Sequence, residues 1–169
     1  MARHWALVPI ALLVMAGTGR GQQPASNWRV YKAADGMSEP ACSSIAIGPR
    51  GKVWVTHINV NSVSGLDGYT VQNIATPEGG SSRIYESPNG QLWMACEEGL
   101  REFRDTNWNI YPVPAIAAQF RSRRPETPAP VPLYPFRLGR LLFLLPNSLM
   151  EFNAADQDAH QILVLKPAA

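Results

Sequence analysis

The side chains of this chain that could do chemistry are few: three histidines, two cysteines and some carboxylates standing side by side. A lone imidazole can act as a base or a ligand, and paired carboxylates as acid and base, when the fold brings partners within hydrogen-bond reach. His57 begins the stretch His57-Ile58-Asn59-Val60-Asn61, which predicts a polar loop residue. His160 ends Asp156-Gln157-Asp158-Ala159-His160, a polar connection ahead of the last strand pattern. Glu97 and Glu98 are adjacent, and in a tight turn adjacent side chains point apart. Asp156 and Asp158 resemble a fragment of a calcium loop but lack the Gly and the distant Glu that complete one. Cys42 and Cys96 have neither the CxxC nor the Cys/His spacing of a zinc site. A disulfide between them stays open, while Cys96 lies in a strand pattern where a free Cys behaves as a small apolar residue. With no Ser/His/Asp order, phosphate loop or metal cluster, the residues predict a non-enzymatic protein that needs no cofactor.

The elements that must hold these residues are repeated. Residues 90–103, GQLWMACEEGLREF, align without a gap on residues 139–152, GRLLFLLPNSLMEF, and share Gly, Leu, Leu, Glu and Phe. About one match in such a window is expected by chance. An earlier copy opens at Gly51 with GKVWV and reaches GLDGY at Gly65 after a few extra residues. Repetition every 40 to 50 residues or so indicates modular β architecture. Turn residues divide each copy into four strands. The first unit has Ser44 to Ile47, Lys52 to Thr56, Ser64 to Leu66 and Tyr69 to Ile74. The second has Ser82 to Glu86, Gln91 to Ala95, Leu100 to Phe103 and Trp108 to Tyr111. The third has Leu133 to Arg137, Arg140 to Leu144, Leu149 to Phe152 and Ile162 to Leu165. Trp28 to Tyr31, WRVY, resembles Trp108 to Tyr111, WNIY, and predicts a stray outer strand ahead of the first unit.

With WRVYKAADGM at Trp28 to Met37, GKVWV and GQLWMACEEGLREF, the chain resembles the propeller repeats of bacterial two-component regulators, the periplasmic sensor regions of hybrid histidine kinases. The match covers residues 28–111. The third unit departs from it, with Leu142 in the Trp position and Asn147-Ser148 in place of Glu-Gly. The resemblance implies an all-β fold, a partial β-propeller of about three four-stranded antiparallel blades. It also implies that the loops of one face bind the ligand: His57 to Val63, Ala75 to Ser81, Cys96 to Glu98, the Pro-rich segment and Pro146 to Ser148. His57, Asn59, Asn61, Glu97, Glu98 and Arg121 are the candidate ligand-binding residues. Trp54 and Trp93 read as core residues that pack a sheet on its neighbour. Secreted lyases that linearise cyclic antibiotics build propellers from similar repeats, and a structural protein-interaction module would use the same blades.

The ends and the composition set the remaining limits. Residues 1–21 have the layout of a signal peptide, with Arg3 and His4 before an apolar run and small residues after it. This predicts a periplasmic or secreted protein. Of 15 basic residues, Arg3 and Arg20 fall in the signal, leaving 13 against 13 acidic ones. A chain without basic excess lacks the surface that binds nucleic acid, and no later run is apolar enough to span a membrane. Residues 22–37 form a leading segment, 38–111 two blades, and 133–169 a third, divergent blade. Residues 112–132 read as a long loop, rich in Pro and carrying Arg121, Arg123 and Arg124. Closed propellers use about four to eight blades, so three predict either part of a longer sensor or self-association. The expected ligand is an extracellular small molecule or glycan.

Overall fold

Short alternating runs bounded by Gly, Pro and Asn favour hairpins, because a strand buries one face with every second residue. The computed structural model describes residues 29–80, 83–122 and 131–165. Three antiparallel sheets of four strands form among them. The first contains β1 (Cys42–Ile47), β2 (Val53–His57), β3 (Ser62–Leu66) and β4 (Val71–Ala75). The second contains β5 (Tyr85–Glu86), β6 (Leu92–Cys96), β7 (Gly99–Arg104) and β8 (Asn107–Pro112). The third contains β9 (Leu133–Arg137), β10 (Arg140–Leu145), β11 (Ser148–Asn153) and β12 (Asp158–Val164). Strands pair in chain order, so each sheet is a meander. Every strand read from the sequence within the three units overlaps one of these.

The repeated Gly is explained by its turn. Gly48 N–H donates to Lys52 O at 2.8 Å and Gly51 N–H to Gly48 O at 2.9 Å, just as Ser87 N–H donates to Gln91 O and Gly90 N–H to Ser87 O. Gly51 and Gly90 take φ values of +80° and +87°, where a side chain would be strained. The third unit uses a shorter turn, with Arg137 paired directly to Arg140.

The repeated Trp is explained by the neighbouring sheet. Trp54, Val63 and Ile74 of the first sheet bury against Ile84 and Leu92 of the second. On the other face of that sheet, Trp93, Leu100 and Tyr111 bury against Leu141, Phe143 and Phe152 of the third. Both tryptophans therefore face the sheet that follows them. Leu142, at the same repeat position, pairs in register with Glu151 and shares with it the free face of the third sheet. The free face of the first sheet is covered in part: Tyr31 and Met37 pack on Val53, Val55, Leu66 and Val71, while Ile45 and Ile47 of β1 stay 67% and 76% exposed.

Two expectations are corrected. The stretch up to Tyr31 is not an outer strand: Arg29 to Tyr31 precede the first strand and take no strand assignment, and Trp28 lies outside the described residues. Nor is the Pro-rich segment all loop, since Pro114–Ser122 forms a helix, α1. Pro is tolerated at a first helical position, where its missing N–H is not needed. The Val113 carbonyl accepts from Ile116 and Ala117 at 3.0 Å, and Ile116 is buried in the core between the second and third sheets. The signal segment 1–21, Arg123, Arg124 and the prolines from 125 to 130 lie outside the described residues.

Between β3 and β4, the Asp67 carboxylate caps the turn, accepting from Tyr69 N–H at 2.9 Å, Thr70 N–H at 2.8 Å and the Thr70 hydroxyl at 2.8 Å. The Thr70 and Tyr69 amides pull its pKa down to about 2. A carboxyl whose folded pKa lies below its unfolded value near 3.9 stabilises the fold above that value, and the contribution fades as pH falls through 2. An NMR titration of the Asp67 carboxyl is expected to show a midpoint near 2. A midpoint close to 4 would show that the cap does not hold in solution.

Candidate functional site

A meander places alternate connections at the same end of every sheet, so the β2–β3, β4–β5 and β6–β7 connections come together. Backbone hydrogen bonds link them in sequence. Thr76 N–H donates to Asn61 O at 2.9 Å, Glu97 N–H to Gly79 O at 3.3 Å, and Val113 N–H to Glu98 O at 3.1 Å. Gly80 also bridges to Cys96. Arg101 of β7, almost fully buried, fastens the β4–β5 connection by donating through Nη1 to Pro77 O at 3.1 Å and Glu78 O at 2.6 Å.

Among these connections lies a cleft of about 280 Å³. Its polar lining includes Ser43, Thr56, His57, Asn61 and Ser62, and its apolar lining includes Ile58, Val60 and Met94. His57 is only 7% exposed, because β2 runs one residue further than the sequence reading placed it. That corrects its assignment to a polar loop. Ser64 Oγ–H donates to Asn73 Oδ1 at 2.6 Å, which uses its only proton. The 2.7 Å contact between His57 and Ser64 therefore runs from His57 Nε2–H to Ser64 Oγ. In the neutral ring Nδ1 is then an acceptor, and it has no partner although it is buried. Ser62 Oγ is likewise buried and unpartnered. The Ser43 and Thr56 hydroxyls, 2.9 Å apart, have two protons between them, one for the contact that joins them and one for the carbonyl of His57 or of Ser44. The wall thus offers an acceptor at His57 Nδ1 and both a donor and an acceptor at Ser62 Oγ. A ligand with neutral hydroxyl or amide groups would satisfy it, and none of the lining residues is an Asp, Glu, Lys or Arg.

Of the six candidates from the sequence, His57 and Asn61 line this cleft. Asn59 is turned to Glu39, whose carboxylate accepts from its backbone N–H at 3.0 Å and from its side-chain amide. Glu97 is exposed in the β6–β7 turn beside Gly79. Glu98, in the same turn, lies 3.7 Å from Arg101. Arg121 is exposed in the last turn of α1. Ser43 and Thr56 were not foreseen, since small hydroxyl residues inside strands carry no signal of their own, and Ser62 falls within the His57 to Val63 loop without having been singled out. Cys42 and Cys96 are both free thiols, the first exposed and the second buried in β6. His160 lies on β12, 3.8 Å from Glu151 and 3.9 Å from Asp158. Asp156 accepts from the Asn153 amide at 2.5 Å. Among the described residues no three of His, Cys, Asp and Glu gather as a metal site would require.

The fold defines the class: this is a three-bladed part of a β-propeller. No protein-family model matches the chain, and neither does any curated protein. Among solved structures, a streptogramin B lyase is similar at 21% identity over 73% of this chain, with a TM-score of 0.51. The extracellular domain assigned to a hybrid two-component system of B. thetaiotaomicron is similar at 15% identity over 79% of this chain, with a TM-score of 0.48. Virginiamycin B lyase from Staphylococcus aureus is similar at 18% identity over 73%, with a TM-score of 0.46. This chain spans 41% of either lyase and 18% of the extracellular domain. No helix among the described residues is long and apolar enough to cross a membrane.

Proposed function

We propose that this chain is a ligand-binding propeller module of an exported two-component sensor, with its ligand held in the cleft between the first two blades. The observation that carries the reading is the pair of buried, unpartnered atoms, His57 Nδ1 and Ser62 Oγ, on residues that line one cleft. Leaving a buried polar atom unsatisfied costs about 1–3 kcal/mol, and a bound hydroxyl or amide relieves that cost. Binding is favoured over turnover because the Ser64 hydroxyl is directed at Asn73 while His57 donates to it, the reverse of an activated nucleophile. The ligand is an extracellular small molecule or glycan, and the signal would pass to a membrane-linked kinase.

Titration of the exported chain with neutral glycan fragments and small polar metabolites, followed by NMR, tests this. Saturable shifts of the Asn61, Ser62 and Thr76 amides are expected. Saturable binding that leaves those amides unmoved would overturn the site, and turnover of a cyclic lactone would favour a lyase.

A further inference from the structure

The two end faces of this molecule match each other in the way its internal faces do. Each internal junction sets one repeat position of a sheet against one position of the inner strand that follows. At the first junction Trp54 Nε1–H donates to Glu86 Oε2 at 3.0 Å. Glu86 pairs in register with Leu92, the residue just before Trp93. At the second junction the corresponding residues are Trp93 and Pro135, the latter paired with Leu141. Pro135 offers no side-chain acceptor, and Trp93 Nε1 is buried without a partner. Carrying the register to the free faces gives Leu142 on the third sheet and Ile47, paired with Val53, on the first. The polar pair of the first junction is thus replaced on both end faces by an apolar residue.

The surroundings agree with that pairing. The first sheet's free face holds a groove of about 410 Å³, walled by Tyr31 and Met37 on one side and Ile45 on the other. The third sheet's free face presents Leu142, Leu144, Leu149 and Leu163 beside the Arg140–Glu151 ion pair, with Leu144 41% and Leu163 52% exposed. A soluble molecule seldom leaves two such faces open. We propose that they cover each other between two copies of this chain, third sheet against first, at both junctions. Two copies then make a ring of six blades, which lies within the range of about four to eight that closed propellers use. Closure requires each blade to turn about 60° from the one before, and a closed pair leaves no face for a third copy.

Sedimentation of the full exported chain tests the assembly, with circular dichroism of each variant confirming the fold. A species of twice the chain mass is expected at micromolar concentration. Ile47 is exposed within one copy, so Ile47→Glu should keep the fold and weaken the dimer about 100-fold or more, through an uncompensated buried charge. Leu142→Lys should do the same. Mixing the two single variants should leave one junction unmodified and one with opposite charges, and so recover dimer. A folded monomer at every concentration would overturn the proposal, and so would an open series of larger species. A dimer indifferent to both substitutions would overturn the face assignment, as would a dimer lost only when the groove residue Tyr31 is changed.

Discussion

Replacing Trp93 with Ala is expected to lower the unfolding free energy by about 3–5 kcal/mol, the range for emptying a large aromatic site in a core. Trp93 is fully buried. Its ring stacks on Tyr111 with centroids 5.9 Å apart and meets the edge of Phe152 at 6.1 Å. Removing it separates the second sheet from the third. Against a total stability of about 5–15 kcal/mol for an ordinary domain, that loss should uncouple the third blade, seen in urea as a first transition in which β9–β12 amides exchange. Trp93→Phe should recover much of the loss, because the Trp93 indole N–H has no acceptor to forfeit. Trp54→Phe should be the costlier of the two Phe substitutions, because it also takes a hydrogen bond from the Glu86 carboxylate, worth about 1–3 kcal/mol. The reverse order would show that indole area alone, and not the carboxylate, decides the junction.

The blades were legible because their signals are local. Gly51 and Gly90 mark turns that need a positive φ, and the short apolar runs Val53 to Val55 and Leu92 to Cys96 between turn residues mark strands buried on both faces. α1 was hidden by its own first residue. Pro112 and Pro114 read as breakers, yet Ala115 to Phe120 are tolerant of a helix, and Pro114 occupies the one turn where Pro does no harm. The leading Trp-x-x-Tyr motif misled in the opposite sense, since Tyr31 packs on the face of the first sheet and does not extend its edge. His57 is the clearest limit. The residue type announced possible chemistry, but its burial, its bond to Ser64 and the free lone pair on Nδ1 depend on Ser64 and Asn73, brought close only by the pairing of β2, β3 and β4.

The same pairing ties the cleft to the cover of the first sheet. Asn73, which accepts the Ser64 proton, donates through its amide to Gly36 O at 2.7 Å, and Ser38 N–H reaches Ser64 Oγ at 3.4 Å. The segment that carries Met37 across the free face is therefore anchored to the residue that orients His57. Loops supply one wall of the cleft, while the strands beneath fix the imidazole that lines it.

Glu86→Ala is expected to destabilise the chain by about 2–3 kcal/mol. A buried ion pair broken from one side usually costs about 3–5 kcal/mol, but Arg50 is 58% exposed and can return to water, whereas the Glu86 side chain is fully buried. Arg50 Nη2 lies 2.5 Å from Oε1 and Trp54 Nε1 3.0 Å from Oε2, so one carboxylate joins the turn of the first blade to its indole. Gly48 makes room for it. A Cβ there would fall 1.8 Å from Glu86 Oε2, and Gly48 is not among the glycines with positive φ, so Gly48→Ala acts through the carboxylate and not through backbone strain. Its expected cost is also about 2–3 kcal/mol. In the Glu86→Ala background the same substitution should cost under about 0.5 kcal/mol, because the group it displaces is gone, and the double-mutant cycle should return nearly the whole effect as coupling. Additive costs in urea unfolding would mean that Gly48 serves the turn itself, and that the carboxylate adapts to the added methyl without releasing Trp54.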